Sequence, residues 1–198
     1  GLPDLHGMYW SSSNDFTEAM YYRLAQAVSF SNSFIKNASE LSGEEVNVFI
    51  AEARFLRAYA YYNLLDLYGN VPLTTEISTE LPTQSNRTEL FNFIESELME
   101  IESTLLASNE YGRVDNIAAH ALLSRLYLNA EAWTGQDRYA DCVTYSQNVI
   151  NSGYTLNMND ANGNGTAYDE LFMADNDVNG AQNEFIFTLN FDGMQSQT

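Results

Sequence analysis

Residues 52–73 read EARFLRAYAYYNLLDLYGNVPL, and this stretch decides the fold. With the residues just before it, the stretch places apolar side chains at spacings of three and four, which is typical of an amphipathic helix. The predicted apolar stripe comprises Val46, Phe49, Ile50, Ala53, Leu56, Ala60, Leu64 and Leu67. Gly69 or Asn70 can take the left-handed conformation that ends a helix, and Pro72 prevents its continuation. The stretch therefore predicts a long helix followed by an extended segment.

The start of this helix carries a capping pattern. In Ser42-Gly43-Glu44-Glu45, the Ser42 hydroxyl is expected to accept from the Glu45 amide, while the Glu45 carboxylate reaches back to Ser42. Upstream, apolar residues recur with helical spacing over residues 14–37, and Gly43 with its flanking serines separates the two patterns. Residues 14–68 are therefore predicted to form a first helix pair.

Residues 86–153 predict further helices. A third helix starts at Asn86-Arg87-Thr88-Glu89, a fourth runs from Ile117 to Leu128, and a partner helix covers residues 139–150. The third helix turns Leu90, Phe93, Ile94, Leu98, Ile101 and Leu105 inward, and Glu95, Glu97, Glu100 and Glu102 are expected on solvated faces. The fourth is apolar nearly all round and rich in alanine, which predicts burial. With its partner helix it is typical of a degenerate tetratricopeptide unit.

The helical period is lost over residues 154–198, which are predicted to be a loop and β region. Residues 154–156 and 184–189 have the composition of short strands, and one short helix is expected near residues 168–173. The fold class predicted from the sequence is therefore mainly α. It has tetratricopeptide-like antiparallel helix pairs, long loops and a short β-hairpin near the C-terminus.

Charge and cysteine content exclude several classes of function. The chain of 198 residues carries a net charge of −19, from 27 acidic and 8 basic residues. Such a surface repels phosphate backbones and anionic lipid headgroups, so no nucleic-acid partner is expected. The single cysteine, Cys142, rules out an internal disulfide and a zinc finger, and we interpret it as a buried small apolar residue. No apolar run is long enough to span a bilayer.

No local motif of a nucleotide-binding, serine-hydrolase or zinc-protease site is present. Paired carboxylates of a glycoside hydrolase need no local motif, so that class stays open. One pattern suggests a metal: Asp160-Ala161-Asn162-Gly163-Asn164-Gly165 matches the first half of a calcium-binding EF-hand loop. Asp160, Asn162 and Asn164 are its candidate calcium ligands. Leu171 stands where the closing glutamate would be, and ordinary turns use the same residues.

Trp10 is the candidate binding residue that the aromatic content singles out. It lies in the polar stretch Met8-Tyr9-Trp10-Ser11-Ser12-Ser13-Asn14, before the first long helix. A flat ring can stack on the C–H face of a sugar while amide and carboxyl groups bond to its hydroxyls. The candidate glycan-binding residues are accordingly Trp10, Tyr9, Asn14 and Asp4. The alternative is that Trp10 packs against the helix end, and packing is the favoured interpretation for Trp133.

Three blocks in the same order resemble the SusD/RagB family. The first is residues 54–73, with its LYGNVPL ending. The second is AAHALLSRLYL at 118–128 with VINSGYTL at 149–156, and the third is NEFIF at 183–187. The resemblance runs from about residue 16 to 190. It implies a helical, tetratricopeptide-like fold in which the signature residues are scaffold, so Arg54 and Arg57 are expected to join helices and carboxylates.

The resemblance also implies a function. Members of the family are outer-membrane lipoproteins that capture glycans at the cell surface without altering them and pass them to a SusC-like TonB-dependent transporter. Family members are longer, so residues 1–198 are expected to be an N-terminal-half fragment lacking the lipidated cysteine that anchors the protein outside the cell. A tryptophan with neighbouring Asn and Asp residues can hold glycan in the corresponding region, which matches Trp10 and Asn14. The alternatives are a protein-binding helical adaptor and a glycoside hydrolase.

Overall fold

A computed structural model describes residues 2–191 of the chain. Its α-helices are α1 (Leu2–His6), α2 (Asp15–Ala38), α3 (Glu44–Tyr68), α4 (Arg87–Ile101), α5 (Asn116–Leu128), α6 (Ala130–Thr134) and α7 (Tyr139–Ile150). Short 3₁₀ turns follow at Asp169–Phe172 and Ala181–Asn183. The predicted mainly α class is confirmed, and the helices predicted over 14–37 and 139–150 are found within one residue of those bounds. None of the helices within residues 2–191 is long and apolar enough to cross a membrane.

The chain divides into two compact units. Of the described residues, the first unit holds 2–104 and 129–137, and the second holds 105–128 and 138–191. Helices α1 to α4 and α6 therefore belong to the first unit, and α5 and α7 belong to the second. After α3 the chain is extended. An antiparallel β-bridge pairs Pro72, near the start of this segment, with Gln84, near its end.

In the first unit, α3 packs against both α2 and α4. The Tyr68 hydroxyl, at the end of α3, donates to the carbonyl of Thr17 at the start of α2, so these two helices run antiparallel. The single apolar stripe predicted for α3 is partly wrong, because Leu56 and Leu67 are 39% and 56% exposed. The buried side chains on α3 include Phe55, Ala58, Tyr61, Tyr62 and Leu65. Contact with two neighbouring helices buries a much wider arc than one stripe.

The capping box predicted at Ser42 is wrong. Gly43 precedes the first turn of α3 with a φ of 138°, and no side chain caps that end. Because the cap position lies one residue later than the pattern suggests, Ser42 and Glu45 lose the spacing they need. A capping box is present on α4 instead, where Asn86 Oδ1 accepts from the Glu89 amide at 3.0 Å and Glu89 Oε2 accepts from the Asn86 amide at 2.9 Å.

A buried ion-pair network joins three helices of the first unit. Glu97 on α4 accepts from Arg54 Nη2 at 2.6 Å and from Arg57 Nη2 at 2.5 Å. Arg57 also donates to Asn32 Oδ1 on α2 at 2.8 Å. The expected scaffold role of both arginines is confirmed, whereas the expected solvation of Glu97 is wrong, since this residue is 5% exposed. A carboxylate can be buried there because two guanidinium groups from α3 neutralise and hydrogen-bond it.

The same network acts on Arg54 in two opposing ways. Burial alone would lower the pKa of Arg54, but hydrogen bonds to Glu97 and Glu100 outweigh this and hold the pKa above its ordinary value. Arg54 therefore stays charged, as the network requires.

In the second unit, α5 packs against α7. Their contact includes a hydrogen bond of 2.6 Å between the hydroxyls of Ser124 and Ser146, and Cys142 Sγ lies 3.7 Å from Ser124 Oγ. Cys142 is half-buried, so the interpretation of full burial is corrected. The ring of His120, which is 8% exposed, stands edge-on to Tyr145 with centroids 5.4 Å apart. The burial predicted for α5 is confirmed for most of its length, whereas Arg125 and Leu128 are exposed.

The predicted β-hairpin near the C-terminus is not confirmed. Within the described residues, neither 154–156 nor 184–189 forms a strand, and the Thr155 amide donates to the carbonyl of Asn183, just before the second segment. Side chains bond the backbone there instead: the Asn157 amide donates to Glu184 Oε2 at 2.7 Å. The 3₁₀ turn at Asp169–Phe172 agrees with the short helix expected near it. Residues 192–198 of the predicted loop and β region lie outside the described residues.

Candidate functional site

A cavity of about 820 Å³ lies in the first unit, where the loop between α1 and α2 meets the two long helices. Its wall is mostly aromatic and apolar, and includes Leu5, Trp10, Phe16, Tyr22, Leu67 and Tyr68. The loop supplies Trp10, α2 supplies Phe16 and Tyr22, and the end of α3 supplies Leu67 and Tyr68. This volume lies within the range of small-ligand sites, which span about 300–1,000 Å³.

Trp10 is 52% exposed and lines this cavity, so its ring is available to a ligand. Tyr9 is 66% exposed but does not belong to the cavity wall. Its ring lies directly over Gly7, where an added Cβ would be only 2.0 Å from Tyr9 Cε1. The structure therefore brings Trp10 to the cavity and leaves Tyr9 beside it.

Asn14 and Asp4 have structural contacts that the sequence patterns missed. Asn14 is 6% exposed, and its Oδ1 accepts from the amides of Phe16 and Thr17 as the N-terminal cap of α2. Its Nδ2 donates to Asp4 Oδ2 at 3.3 Å, which joins α1 to the start of α2. These contacts fix the two ends of the loop that carries Trp10. Direct contact of Asn14 or Asp4 with a glycan stays a prediction.

The cavity is also lined by Tyr21, Tyr22 and Tyr68, which the sequence analysis did not select as candidate binding residues. The Tyr21 and Tyr68 rings meet edge to face, with centroids 5.3 Å apart. Burial raises the pKa of Tyr68, whose hydroxyl is used in the bond to Thr17. Tyr22 is 62% exposed, so it offers a second accessible ring beside Trp10. The adjacent Tyr21-Tyr22 pair, two turns after the cap of α2, was the available signal.

The candidate calcium loop is held by its own side chains. Asp160 accepts from the amides of Asn164 and Gly165, at 3.1 and 2.8 Å. The side-chain amides of Asn164 and Asn162 donate to Asp169 Oδ2, and these bonds hold the pKa of Asp169 below its ordinary value. Asp169 Oδ1 is buried without a hydrogen-bond partner in the described residues.

The donor set of this loop fits calcium only in part. Hydrogen-bonded turns of this kind are common wherever Asn and Asp follow one another. Across residues 2–191, no group of three or more His, Cys, Asp or Glu side chains is placed to hold a metal ion. A calcium ion there would depend on amide and backbone oxygens beside the carboxylates of Asp160 and Asp169.

A family model described as "Starch-binding associating with outer membrane", SusD-like, matches residues 6–128. The chain belongs to the SusD-like family. The matched range contains Trp10, the whole signature block at 54–73 and the 118–128 part of the second block, so the resemblance is confirmed.

Known SusD-like proteins align with most of the chain. The starch-binding protein SusD of Bacteroides thetaiotaomicron is 38% identical over 99% of this chain, which spans 35% of that protein's length. A SusD superfamily protein from Parabacteroides distasonis superposes with a TM-score of 0.71 at 28% identity, covering 78% of this chain and 36% of that one. A laminarin-binding SusD-like protein superposes with a TM-score of 0.69 at 25% identity, covering 82% and 36%.

Proposed function

We propose that this SusD-like chain is a non-catalytic glycan-binding region whose ligand stacks on Trp10. The observation that carries the proposal is the half-exposed Trp10 ring on the wall of an 820 Å³ cavity, in a chain of the SusD-like family. The names of two relatives state starch and laminarin as their ligands, and both ligands are neutral glucans. A neutral polysaccharide also avoids repulsion by a net charge of −19.

Recognition would combine stacking with hydrogen bonds. Trp10 and Tyr22 offer flat rings to the C–H faces of sugar residues. Ser11, Ser12 and Glu18 line the same cavity and supply polar atoms for sugar hydroxyls. Asn14 would act as a positioning residue, since its bonds to Asp4 and to the start of α2 hold the loop.

Binding without catalysis is supported by the carboxylates at the cavity. Among the described residues that line the cavity, Glu18 is the one acidic residue. Glycoside hydrolysis commonly needs two carboxyl groups that face each other across the scissile bond. The glycoside hydrolase alternative would require a second acidic residue within about 10 Å of Glu18 across bound sugar.

The partner and the cellular location extend the proposal. The family description associates these proteins with the outer membrane. We place the protein at the extracellular face of that membrane, held by a lipid anchor, where it would deliver glycan to a SusC-like TonB-dependent transporter. The packed pairs α2–α3 and α5–α7 would serve as a tetratricopeptide-like scaffold for that contact. A protein-binding adaptor without a carbohydrate ligand is the alternative.

Trp10→Ala is expected to weaken glycan binding at least 10-fold, because truncating a central aromatic contact costs about 2 kcal/mol or more. The measurement is affinity electrophoresis through gels containing starch, laminarin or xyloglucan. Wild-type protein should be retarded by at least one of them, and Trp10→Ala should be retarded much less by the same polysaccharide. Phe30→Ala is the matched control, since Phe30 is a 66% exposed aromatic residue on α2 outside the cavity. Equal retardation of Trp10→Ala and wild-type protein would refute the Trp10 site, whereas retardation of neither protein would favour the adaptor alternative.

Calcium binding by Asp160, Asn162 and Asn164 is a separate proposal, supported by the unpartnered Asp169 Oδ1 beside them. Millimolar calcium should raise the melting temperature by a few degrees, because a ligand that binds only the folded state stabilises it. EGTA should reverse the rise, and Asp160→Ala should abolish it. A melting temperature that calcium and EGTA leave unchanged would identify the segment as a hydrogen-bonded turn.

A further inference from the structure

A second cavity of the first unit has about 600 Å³ and is open to solvent. It lies where the end of α3, the start of α4 and the short α6 meet, and we call it the Trp133 cleft. Its lining consists of Asn70, Asn86, Arg87, Thr88, Glu89 and Trp133. We propose that the Trp133 cleft binds a neutral pyranose residue, as a second glycan contact that is separate from the Trp10 cavity. The class of ligand rests on the proposed function.

Trp133 packs against a buried tyrosine of α3. Its ring meets Tyr62 at 87°, with centroids 5.8 Å apart, and Tyr62 is 3% exposed on α3. The packing expected for Trp133 from the sequence is therefore present, but it leaves the residue only half-buried and lining the cleft. A ring anchored in this way keeps a flat apolar surface in a fixed orientation, which suits stacking on a sugar ring.

Arg87 brings hydrogen-bond donors to the same place. Its guanidinium lies against the backbone of Gly69, where an added Cβ would be 2.7 Å from Arg87 Nε. Gly69 ends α3 with a φ of 76°, so the LYGNVPL signature supplies both the helix stop and the space for Arg87. Within the described residues, Arg87 has no hydrogen bond or ion pair, although acidic residues outnumber basic ones 27 to 8. Its donors are therefore open to an acceptor on a ligand.

The remaining groups of the cleft point to a neutral ligand. The N-terminus of α4 is already satisfied by the Asn86–Glu89 capping box, so it offers little to an anion. The Glu89 carboxylate lines the cleft as well and would repel a negative group. Arg87 and Asn70 can donate hydrogen bonds and Glu89 can accept them. Sugar hydroxyls match such a mixed set because each one both donates and accepts.

The two tryptophans of the chain report on the two cavities independently. In Trp10→Phe, Trp133 is the only tryptophan, and in Trp133→Phe, which keeps an aromatic ring against Tyr62, only Trp10 remains. Each variant is titrated with maltohexaose, laminarihexaose and a xyloglucan heptasaccharide while tryptophan emission is recorded. We expect a saturable change in Trp133 emission in Trp10→Phe with at least one of these probes.

Removing the donors of the cleft completes the test. Adding Asn70→Ala and Arg87→Ala to Trp10→Phe should weaken the Trp133 response at least 10-fold, since it removes a charged and a neutral hydrogen bond. Arg23→Ala is the control, because Arg23 is exposed and lies outside both cavities. A Trp10 response without a Trp133 response, or a Trp133 response that the added substitutions leave intact, would overturn the second contact alone. If no probe changes the emission of either tryptophan, the proposed function is overturned as well.

Discussion

Glu97→Ala is expected to lower the free energy of unfolding by about 3–5 kcal/mol. The substitution removes the carboxylate that both Arg54 and Arg57 use, at 2.6 and 2.5 Å, and the Arg57 side chain is only 7% exposed. An arginine side chain cannot lose its charge at any ordinary pH, so the variant leaves a buried cation without its counter-ion. Urea denaturation followed by the helical circular dichroism signal measures the loss.

Glu100→Ala is the matched control for this effect. Glu100 lies on the same helix and pairs with Arg54 at the same distance of 2.6 Å, but its side chain is 64% exposed. Exposed pairs contribute about 0–1 kcal/mol, so Glu100→Ala should change stability by less than about 1 kcal/mol. Equal losses in the two variants would contradict the role of burial. Glu97→Gln should fall between them, because its amide oxygen can still accept one bond from an arginine.

The helices were predictable because their spacing and caps are local. The stop at Gly69 and the cap at Asn86 involve residues close in sequence, and each is found at a helix end. Burial was harder to predict, since it depends on how many neighbours a helix has. Leu56 fits the apolar stripe of α3 yet is exposed, because α2 and α4 pack on other faces.

Glu97 illustrates the same limit for charged residues. The sequence places it on a helix with three other glutamates, and nothing local distinguishes it from them. Its burial depends on Arg54 and Arg57, 43 and 40 residues away along the chain. Only the two arginines gave a hint of this pairing, because their place in the family signature indicated a scaffold role.

The candidate site was likewise predictable only in part. Trp10 was predictable because a large ring in a polar loop is unusual, and the structure places it on a cavity wall. Asn14 looked like a ligand for sugar hydroxyls, but Asn is also a preferred N-terminal cap, and the structure uses it as one. The β-hairpin failed for a comparable reason. In the first predicted strand, the Ser152 hydroxyl accepts from the Tyr154 amide, which strand pairing would otherwise use.

Asp115→Ala should destabilise the second unit by about 2–4 kcal/mol, the sum of a lost helix cap and an unpaired buried hydroxyl. Asp115 is 1% exposed, and its Oδ1 accepts from the Ala118 amide at 2.9 Å in the first turn of α5. Its Oδ2 accepts from the Tyr154 hydroxyl at 2.7 Å. Burial, together with this bond to Asp115, raises the pKa of Tyr154 well above its ordinary value, so the hydroxyl keeps its proton.

Asp115→Asn is the control that separates these contacts from the packing of the side chain. The asparagine oxygen can still cap α5, and its amide can donate to the Tyr154 oxygen while the hydroxyl turns to the Ile186 carbonyl, 3.4 Å away. The expected loss for Asp115→Asn is therefore about 1 kcal/mol, that of one weakened hydrogen bond. Thermal and urea unfolding of the two variants should rank Ala well below Asn. Equal destabilisation would show that the negative charge of Asp115, rather than its hydrogen-bond geometry, stabilises the start of α5 through the helix dipole.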